Sequence, residues 1–421
     1  MKNIERENKK LEYKESIDTE TYLKTVSAFS NYDGGTIIFG IKDNLKIVGI
    51  KNPVDQLLKL EDKINGNIHP NPNFELSVDE IDNTITLKIK KGNNKPYYYK
   101  NKAYKRNDTS TIEVDSLELK RLVLEGENRS YDSTAIKLST PSFKILEEKV
   151  MKSLNITRFD QDTLKTLQLY EKGEYNVAAG LLADVNNFPG IDCVRFGNDI
   201  NTIVNRKVFY NISIISQFDQ CMDFFREKYE IEIINGKKRE KQQLIPEVAF
   251  REALANAIIH RTYDVDAHTI VKMYNNKIEI TSPGSLLPSI SKDEFLNGSL
   301  SILRNPIIGN IFNRLNFIER LGTGINRIND SYKEYILKPS FYVNDNSIKV
   351  ELPTTDKQIY ISKEEQLVLD ILSKAQVLSR EEIDKYVHLG KAKLIRVLNS
   401  MVDKTILIRE GNNKSIRYKI R

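Results

Sequence analysis

Glu252 and Asn256 stand four residues apart in EVAFREALANAIIHR, residues 247–261, so on a helix they share one face a single turn apart. Residues 316–328 read NFIERLGTGINRI and set Gly322-Thr323-Gly324 directly before another helical run. Small residues there let backbone N–H groups approach an anion. An acid and an amide on one helix, facing a glycine-rich helix start, could hold a nucleotide, its metal and an attacking water. The same spacing suits a solvated or capping pair with glycines that end a turn, so the residues alone leave both readings open. His260 and His268 have no third ligand at a matching spacing, which argues against zinc.

A second set of chemistry-bearing residues is KPYYYKNKAYKR, residues 95–106, where four tyrosines interleave with five basic side chains. Bases stack on aromatic rings while Lys and Arg meet phosphates, so Tyr97, Tyr99, Lys100, Lys102, Tyr104, Lys105 and Arg106 are candidate nucleic-acid contacts. A half-buried strand with tyrosines inward and lysines outward has the same pattern. The last 33 residues, from Leu389, hold nine Lys/Arg against only Asp403 and Glu410. That imbalance is the footprint of a nucleic-acid binder.

The elements that position these residues group into three units. Across 421 residues two or three domains are expected, and a net charge of +6 with 29% charged residues fits a soluble globular chain. Cys193 and Cys221 lie outside any metal-ligand spacing; a reducing, cytoplasmic setting without disulfides is expected. No apolar run reaches membrane-spanning length, and the charged start suggests no signal peptide. In residues 1–130 the patterning predicts strands at 11–14 and 35–41, the latter buried on both faces, a helix at 21–32, a hairpin partner at 46–50 and strands at 83–89 and 95–106. Residues 131–245 read as a connector, with helical stretches at 165–169, 175–182 and 218–229, a strand at 191–196 and a basic loop at 236–239. Residues 246–353 hold the Glu252 helix, a hairpin of 268–274 and 277–281 about Asn275-Asn276, a break at Pro283-Gly284, a helix start at Arg304-Asn305-Pro306 and a strand at 348–352. In residues 354–421, capping boxes at Ser362/Glu365 and Ser379/Glu382 start two helices, 390–404 forms a third, and 405–409 pairs with 415–420. Three helices and a basic hairpin form a winged-helix arrangement similar to that of many bacterial regulators. Lys391, Lys393 and Arg396 would face the major groove or its phosphates, with Lys414 and Arg417 on the wing.

ENKKLEYKES, VSAFSNYDGGTIIFGIKDN with KIVGI, and KPYYYKNKAYKRNDTS occur in that order and resemble the AlbA_2 domain shared with Schlafen proteins. The resemblance implies a compact α+β domain that binds DNA or RNA. It also implies a metal-dependent RNA-cutting site whose acids match Glu7, Glu12 and Asp43 by position; three converging carboxylates would bind Mg²⁺ or Mn²⁺ and activate a water. REALANAIIHR, KIEITSPGSLLP and RNPIIGNIFNRLNFIERLGTGINRI resemble the C-terminal part of RecG-like regulators, a divergent relative of the GHKL ATPase fold. By that resemblance Glu252 is the water-activating base, Asn256 a Mg²⁺ ligand, and Gly322, Thr323 and Gly324 a phosphate-facing loop around ATP. The fold's Asp-x-Gly-x-Gly motif appears here as Ser282-Pro283-Gly284-Ser285-Leu286, which supplies no carboxylate to read adenine. No Walker A pattern and no helicase motor motifs occur, which excludes a helicase.

The fold class expected is α+β multidomain: an AlbA_2/Schlafen-like domain over 1–130, a connector plus degenerate GHKL-like α/β sandwich over 131–353, and a winged helix over 354–421. The function expected is a cytoplasmic nucleic-acid-binding regulator, with DNA the first target and RNA the second, and a nucleotide-sensing centre. The competing readings are a Schlafen-like metal-dependent ribonuclease acting as a defence or stress effector, and an ATP-driven DNA-binding switch. A homodimer is the expected assembly, since two-fold pairs predominate among oligomers.

Overall fold

The computed structural model describes residues 5–235, 238–287, 290–298, 302–318, 324–355, 362–404, 406–411 and 416–420. Strands Leu11–Lys14 and Gly35–Phe39 pair in parallel, a geometry that needs a crossover. Helix Tyr22–Asn31 supplies it, and nine of its ten residues are buried, because packing against two sheets leaves it no solvent face. One sheet runs Leu11–Lys14, Gly35–Phe39, Thr84–Ile89, Phe74–Asp79; the other runs Ile68–His69, Tyr98–Tyr99, Lys102–Asn107, Ser110–Glu113. Asn31, fully buried, secures the helix to the second sheet's lead-in. Its side chain accepts from the Tyr97 N–H at 2.7 Å and donates to the Tyr97 carbonyl at 2.9 Å, which satisfies a polar group that would otherwise be costly inside. Gly35–Phe39 buries Ile37 and Phe39 fully but leaves Thr36 and Ile38 half-buried. The strand expected at 46–50 reduces to one bridge between Ile41 and Ile47. Positive φ at Leu45 and Gly49 turns the chain out of a ladder there.

Residues 131–245 are more than a connector. Strand Ile191–Phe196 pairs in parallel with Thr269–Met273, and Ile203–Phe209 extends it. These join Lys277–Pro283, Ser347–Pro353 and Ser340–Val343 in one six-stranded sheet. Helices Ile214–Tyr229 and Glu247–Ile259 pack on its inward face, where Ile191, Cys193, Val271, Met273, Ile278, Ile280 and Leu352 are buried. One continuous apolar cluster spans Phe143 to Leu352. Pro283 still pairs with Ser347; the sheet breaks at Gly284. Residues 174–176 form a strand, so the helix expected from 175 starts at Val177, capped by Asn176. A two-stranded ribbon, Glu230–Asn235 with Lys238–Gln243, replaces the basic loop, whose Gly236 and Lys237 lie outside the described residues.

The last unit has its own apolar cluster, built on Val368, Leu372, Ile383, Leu394, Leu398 and Met401. Helices Lys363–Ala375, Arg380–Val387 and Lys391–Asp403 pack beside a sheet ordered Val377–Ser379, Arg417–Ile420, Leu407–Glu410. Both capping boxes form: Ser362 with Glu365 and Ser379 with Glu382, each satisfying helix N–H groups that lack partners. No helix among the described residues is long and apolar enough to cross a membrane.

Candidate functional site

A cavity of about 430 Å³ lies between helix Glu247–Ile259, the sheet, and helices Pro306–Arg314 and Gly324–Ser331, within the size range of small-molecule sites. Its body is apolar, with Ile280, Leu286, Phe295, Leu303, Ile325 and Val350 in the wall, and Glu252 and Asn256 also line it. Three small apolar residues, Ala249, Ala253 and Ala257, are buried on the Glu252 helix and allow close packing of its neighbours. Gly324 begins the facing helix. A Cβ at Gly324 would stand 2.8 Å from the Asn256 Nδ2 and 3.4 Å from the Glu252 Oε2. The two segments singled out by spacing therefore meet, and only glycine leaves that gap open. Gly322 and Thr323 lie outside the described residues.

Glu252 is 2% exposed and is not a free base. Its Oε1 accepts from Arg251 Nη2 at 3.3 Å and Arg327 Nη1 at 3.5 Å. Among the described residues the Asn256 side-chain amide has no hydrogen-bond partner. A cradle that a Cβ would fill, an unengaged amide and a helix start fit the phosphate end of a nucleotide. Asn256 is the side chain that would share a Mg²⁺ with those phosphates, since Mg²⁺ takes few protein ligands when substrate oxygens are present.

Elsewhere in the cavity, Ser282 continues the inward series of Ile278 and Ile280 and donates to the Ala257 carbonyl at 2.7 Å. Gly284 has φ +107°, and a Cβ there would fall 2.0 Å from Thr262 Oγ1; the Thr262 N–H donates to the Pro283 carbonyl at 3.0 Å. Arg304 donates from Nε to the His260 carbonyl and from Nη2 to the Ser285 carbonyl, at 3.0 and 2.6 Å. Burial, with the nearby Arg304 charge, pushes the His260 pKa down to about 4, so this wall imidazole is neutral. Sequence reasoning missed Arg251, Arg327 and Arg304. Arg251 adjoins Glu252 and Arg327 lies three residues beyond Gly324, so both carried a spacing signal. Arg304 carried none, since its partners are backbone carbonyls.

Glu7, Glu12 and Asp43 do not form the expected metal centre. Glu12 is 4% exposed. Its Oε2 accepts from Arg106 and, at 2.7 Å, from Thr25 Oγ1, while its Oε1 meets Lys14 Nζ at 2.7 Å. Glu7 accepts from the Tyr13 N–H at 2.7 Å, and Asp43 sits exposed on a turn. Among the described residues no three His, Cys, Asp or Glu side chains converge as a metal site requires. A carboxylate already neutralised by two cations is a poor ligand for Mg²⁺ or Mn²⁺, so this donor set does not fit.

The tyrosine strand is core rather than a stacking platform. Tyr97, Tyr99 and Tyr104 are 3–7% exposed and join the unit's apolar cluster. Strand alternation turns basic residues outward, but acids meet them: Lys100 with Glu20, Lys102 with Glu113 and Lys105 with Glu118. Arg106 points inward to Glu12.

In the last unit, Lys391, Lys393 and Arg396 are exposed on helix Lys391–Asp403, and Arg417 is exposed on the hairpin. Lys393 bonds Glu364 at 2.8 Å. Among the described residues Lys391, Arg396 and Arg417 have no ion-pair partner. Lys414 lies outside the described residues.

Comparison with known proteins follows this anatomy. Residues 7–115 match the Schlafen AlbA_2 family model. Residues 266–352 match the recG C-terminal family model HATPase_c_4. A protein of Ureaplasma parvum serovar 3, named as an uncharacterized ATP-binding protein, is 42% identical over 78 residues; the match spans 17% of this chain and 22% of that relative. The crystal structure of the DIP2311 protein from Corynebacterium diphtheriae aligns over 98% of this chain and 92% of its own, at 16% identity and a TM-score of 0.48.

Proposed function

Because the chain carries a Schlafen AlbA_2 segment and a recG C-terminal segment, we propose that it is an ATP-responsive nucleic-acid-binding protein of regulatory type. The observation that carries the nucleotide half is the meeting of Glu252, Asn256 and Gly324 at a cavity of about 430 Å³. The name of the Ureaplasma relative supports ATP as the nucleotide. Bound ATP would supply the phosphate charge and, with Mg²⁺, the cation that this site is shaped to recognise. The chain's own residues do the rest: the apolar wall takes the base and excludes water, Gly324 opens the helix start to phosphate, and Asn256 holds the metal side.

DNA is the partner the C-terminal unit favours. Helix, strand, two helices and a hairpin occur in that order, which supports the winged-helix reading, and the third helix presents Lys391 and Arg396 unpaired. Arg417 adds a cation on the hairpin. The ribonuclease reading has less support, because Glu12 is tied to Arg106 and Lys14. The test is fluorescence anisotropy of the full chain on labelled duplex DNA across 50–300 mM salt. Replacing Lys391, Arg396 and Arg417 with alanine should weaken binding and flatten the log–log salt slope by about 2–3. An unchanged slope would remove the C-terminal unit from the DNA surface.

A further inference from the structure

The chain's two cysteines come from different elements and meet inside the central unit. Cys193 is on strand Ile191–Phe196 and Cys221 is on helix Ile214–Tyr229. Both are fully buried free thiols, and their Sγ atoms are 3.3 Å apart. A disulfide bond is about 2.05 Å long, so closure asks for roughly 1.3 Å of approach from the observed 3.3 Å. Both partners are held in place. Cys193 pairs with Lys207 on one side and Val271 on the other, which makes its strand interior to the sheet. The helix is anchored by buried Phe218, Phe224 and Phe225, and the Phe225 ring stacks on Phe250 of the Glu252 helix with centroids 4.2 Å apart.

We infer that Cys193 and Cys221 are an oxidation site, at which a hydroperoxide converts the thiol pair to a disulfide that fastens helix Ile214–Tyr229 to the sheet. With hydrogen peroxide, one thiol takes an oxygen atom to become a sulfenic acid, and the first water leaves. The sulfur of the second thiol attacks it: the S–S bond forms, the S–O bond breaks, and the hydroxyl departs with the second thiol's proton as another water. Two thiols thus lose two hydrogens and two electrons, and the peroxide accepts them. Burial, and then the neighbouring Cys193, pushes the Cys221 thiol up, so it stays protonated and reacts slowly. Peroxide, small and uncharged, enters on local opening. Once one sulfur is oxidised, the adjacent thiol captures it before further oxidation. The site therefore answers sustained rather than brief oxidant.

The test is to incubate the full chain with hydrogen peroxide, block remaining thiols, digest without reductant and map the peptides by mass spectrometry. The expected product is a linked pair of peptides bearing Cys193 and Cys221, lighter by two hydrogens than the reduced pair and separated by dithiothreitol. The bond joins residues 28 apart and restricts the unfolded chain, so the urea midpoint of the oxidised central unit should rise by about 1–2 M and return on reduction. Cys221→Ala should show neither the link nor the reversible rise; should that variant fail to fold, the wild-type peptide map alone decides. Thiols that stay unlinked, sulfinic acid in place of the link, or links only between two chains on a non-reducing gel would overturn the inference. So would a linked chain whose midpoint is unchanged or lower. These readouts need no nucleotide, so they leave the ATP reading to its own tests.

Discussion

Replacing Glu12 with alanine tests how the N-terminal unit uses its buried charge. In the native fold Arg106 and Glu12 side chains are each 5% exposed, and Lys14 is 27% exposed. Removing the carboxylate leaves Arg106 buried with Thr111 and the Asn8 carbonyl as its remaining partners; Lys14 can reach water. Breaking one side of a buried pair costs about 3–5 kcal/mol, because an uncompensated charge remains inside. With a urea slope near 1.5–2 kcal/mol/M, the unfolding midpoint of this unit should fall by about 1.5–3 M. Peptide-resolved hydrogen exchange is the assay, read on strands Leu11–Lys14 and Lys102–Asn107. The double variant Glu12→Leu with Arg106→Met should recover most of the loss, since it removes both charges and keeps apolar volume. A nuclease centre predicts the opposite sign: clustered acids repel, so deleting one would leave the unit as stable or more so. Unchanged or increased protection in Glu12→Ala would therefore refute the structural role given to Glu12.

Other consequences concern the remaining units. Gly284→Ala should destabilise the central unit by about 2–4 kcal/mol, from the positive φ and the clash with Thr262, measured as a lower melting temperature. His260 should make stability fall with acidity. The unfolded imidazole takes a proton near its ordinary 6.5, whereas burial, with Arg304, delays this in the folded chain to about 4. Stability present above 6.5 is thus lost as pH falls towards 4, and His260→Gln should flatten that part of the profile. The Lys393 ammonium, hydrogen-bonded to Glu364, holds that carboxyl down to about 2. Glu364→Gln should release Lys393 and steepen the DNA salt slope by about one in anisotropy titrations.

Much of this architecture could be read from periodicity and capping. The helix with Val26 and Phe29 inward, the Glu252 helix, the hairpin about Asn275-Asn276 and both Ser-x-x-Glu caps occur where the patterning placed them. The misses share a physical cause. Helix Pro53–Asn67 exposes Val54 and Leu58, so its apolar pattern does not mark one buried stripe. Ile203–Phe209 is an edge strand whose Ile203, Val204 and Val208 face water, and the patterning left it unassigned. Residues 191–209 looked like a connector because pairing with Thr269–Met273 depends on partners far along the chain.

At the candidate sites, spacing brought Glu252, Asn256 and Gly324 together correctly but was silent on charge balance. Arg106 and Lys14 are neighbours of Glu12 only after the chain returns, so the three acids looked free in sequence. Tyr97, Tyr99 and Tyr104 alternate as stacking residues would, yet alternation cannot say whether the covered face meets bases or a helix. Here it meets Tyr22–Asn31.

The most direct test of the account is equilibrium binding of a non-hydrolysable ATP analogue with Mg²⁺, comparing the wild type with Asn256→Ala. The account predicts saturable binding by the wild type and a loss of at least about tenfold in the variant, the scale of one metal or charge-assisted contact. A wild type that does not bind, or an Asn256→Ala chain that binds as tightly as the wild type, would contradict the placement of ATP in the Glu252–Asn256–Gly324 cavity.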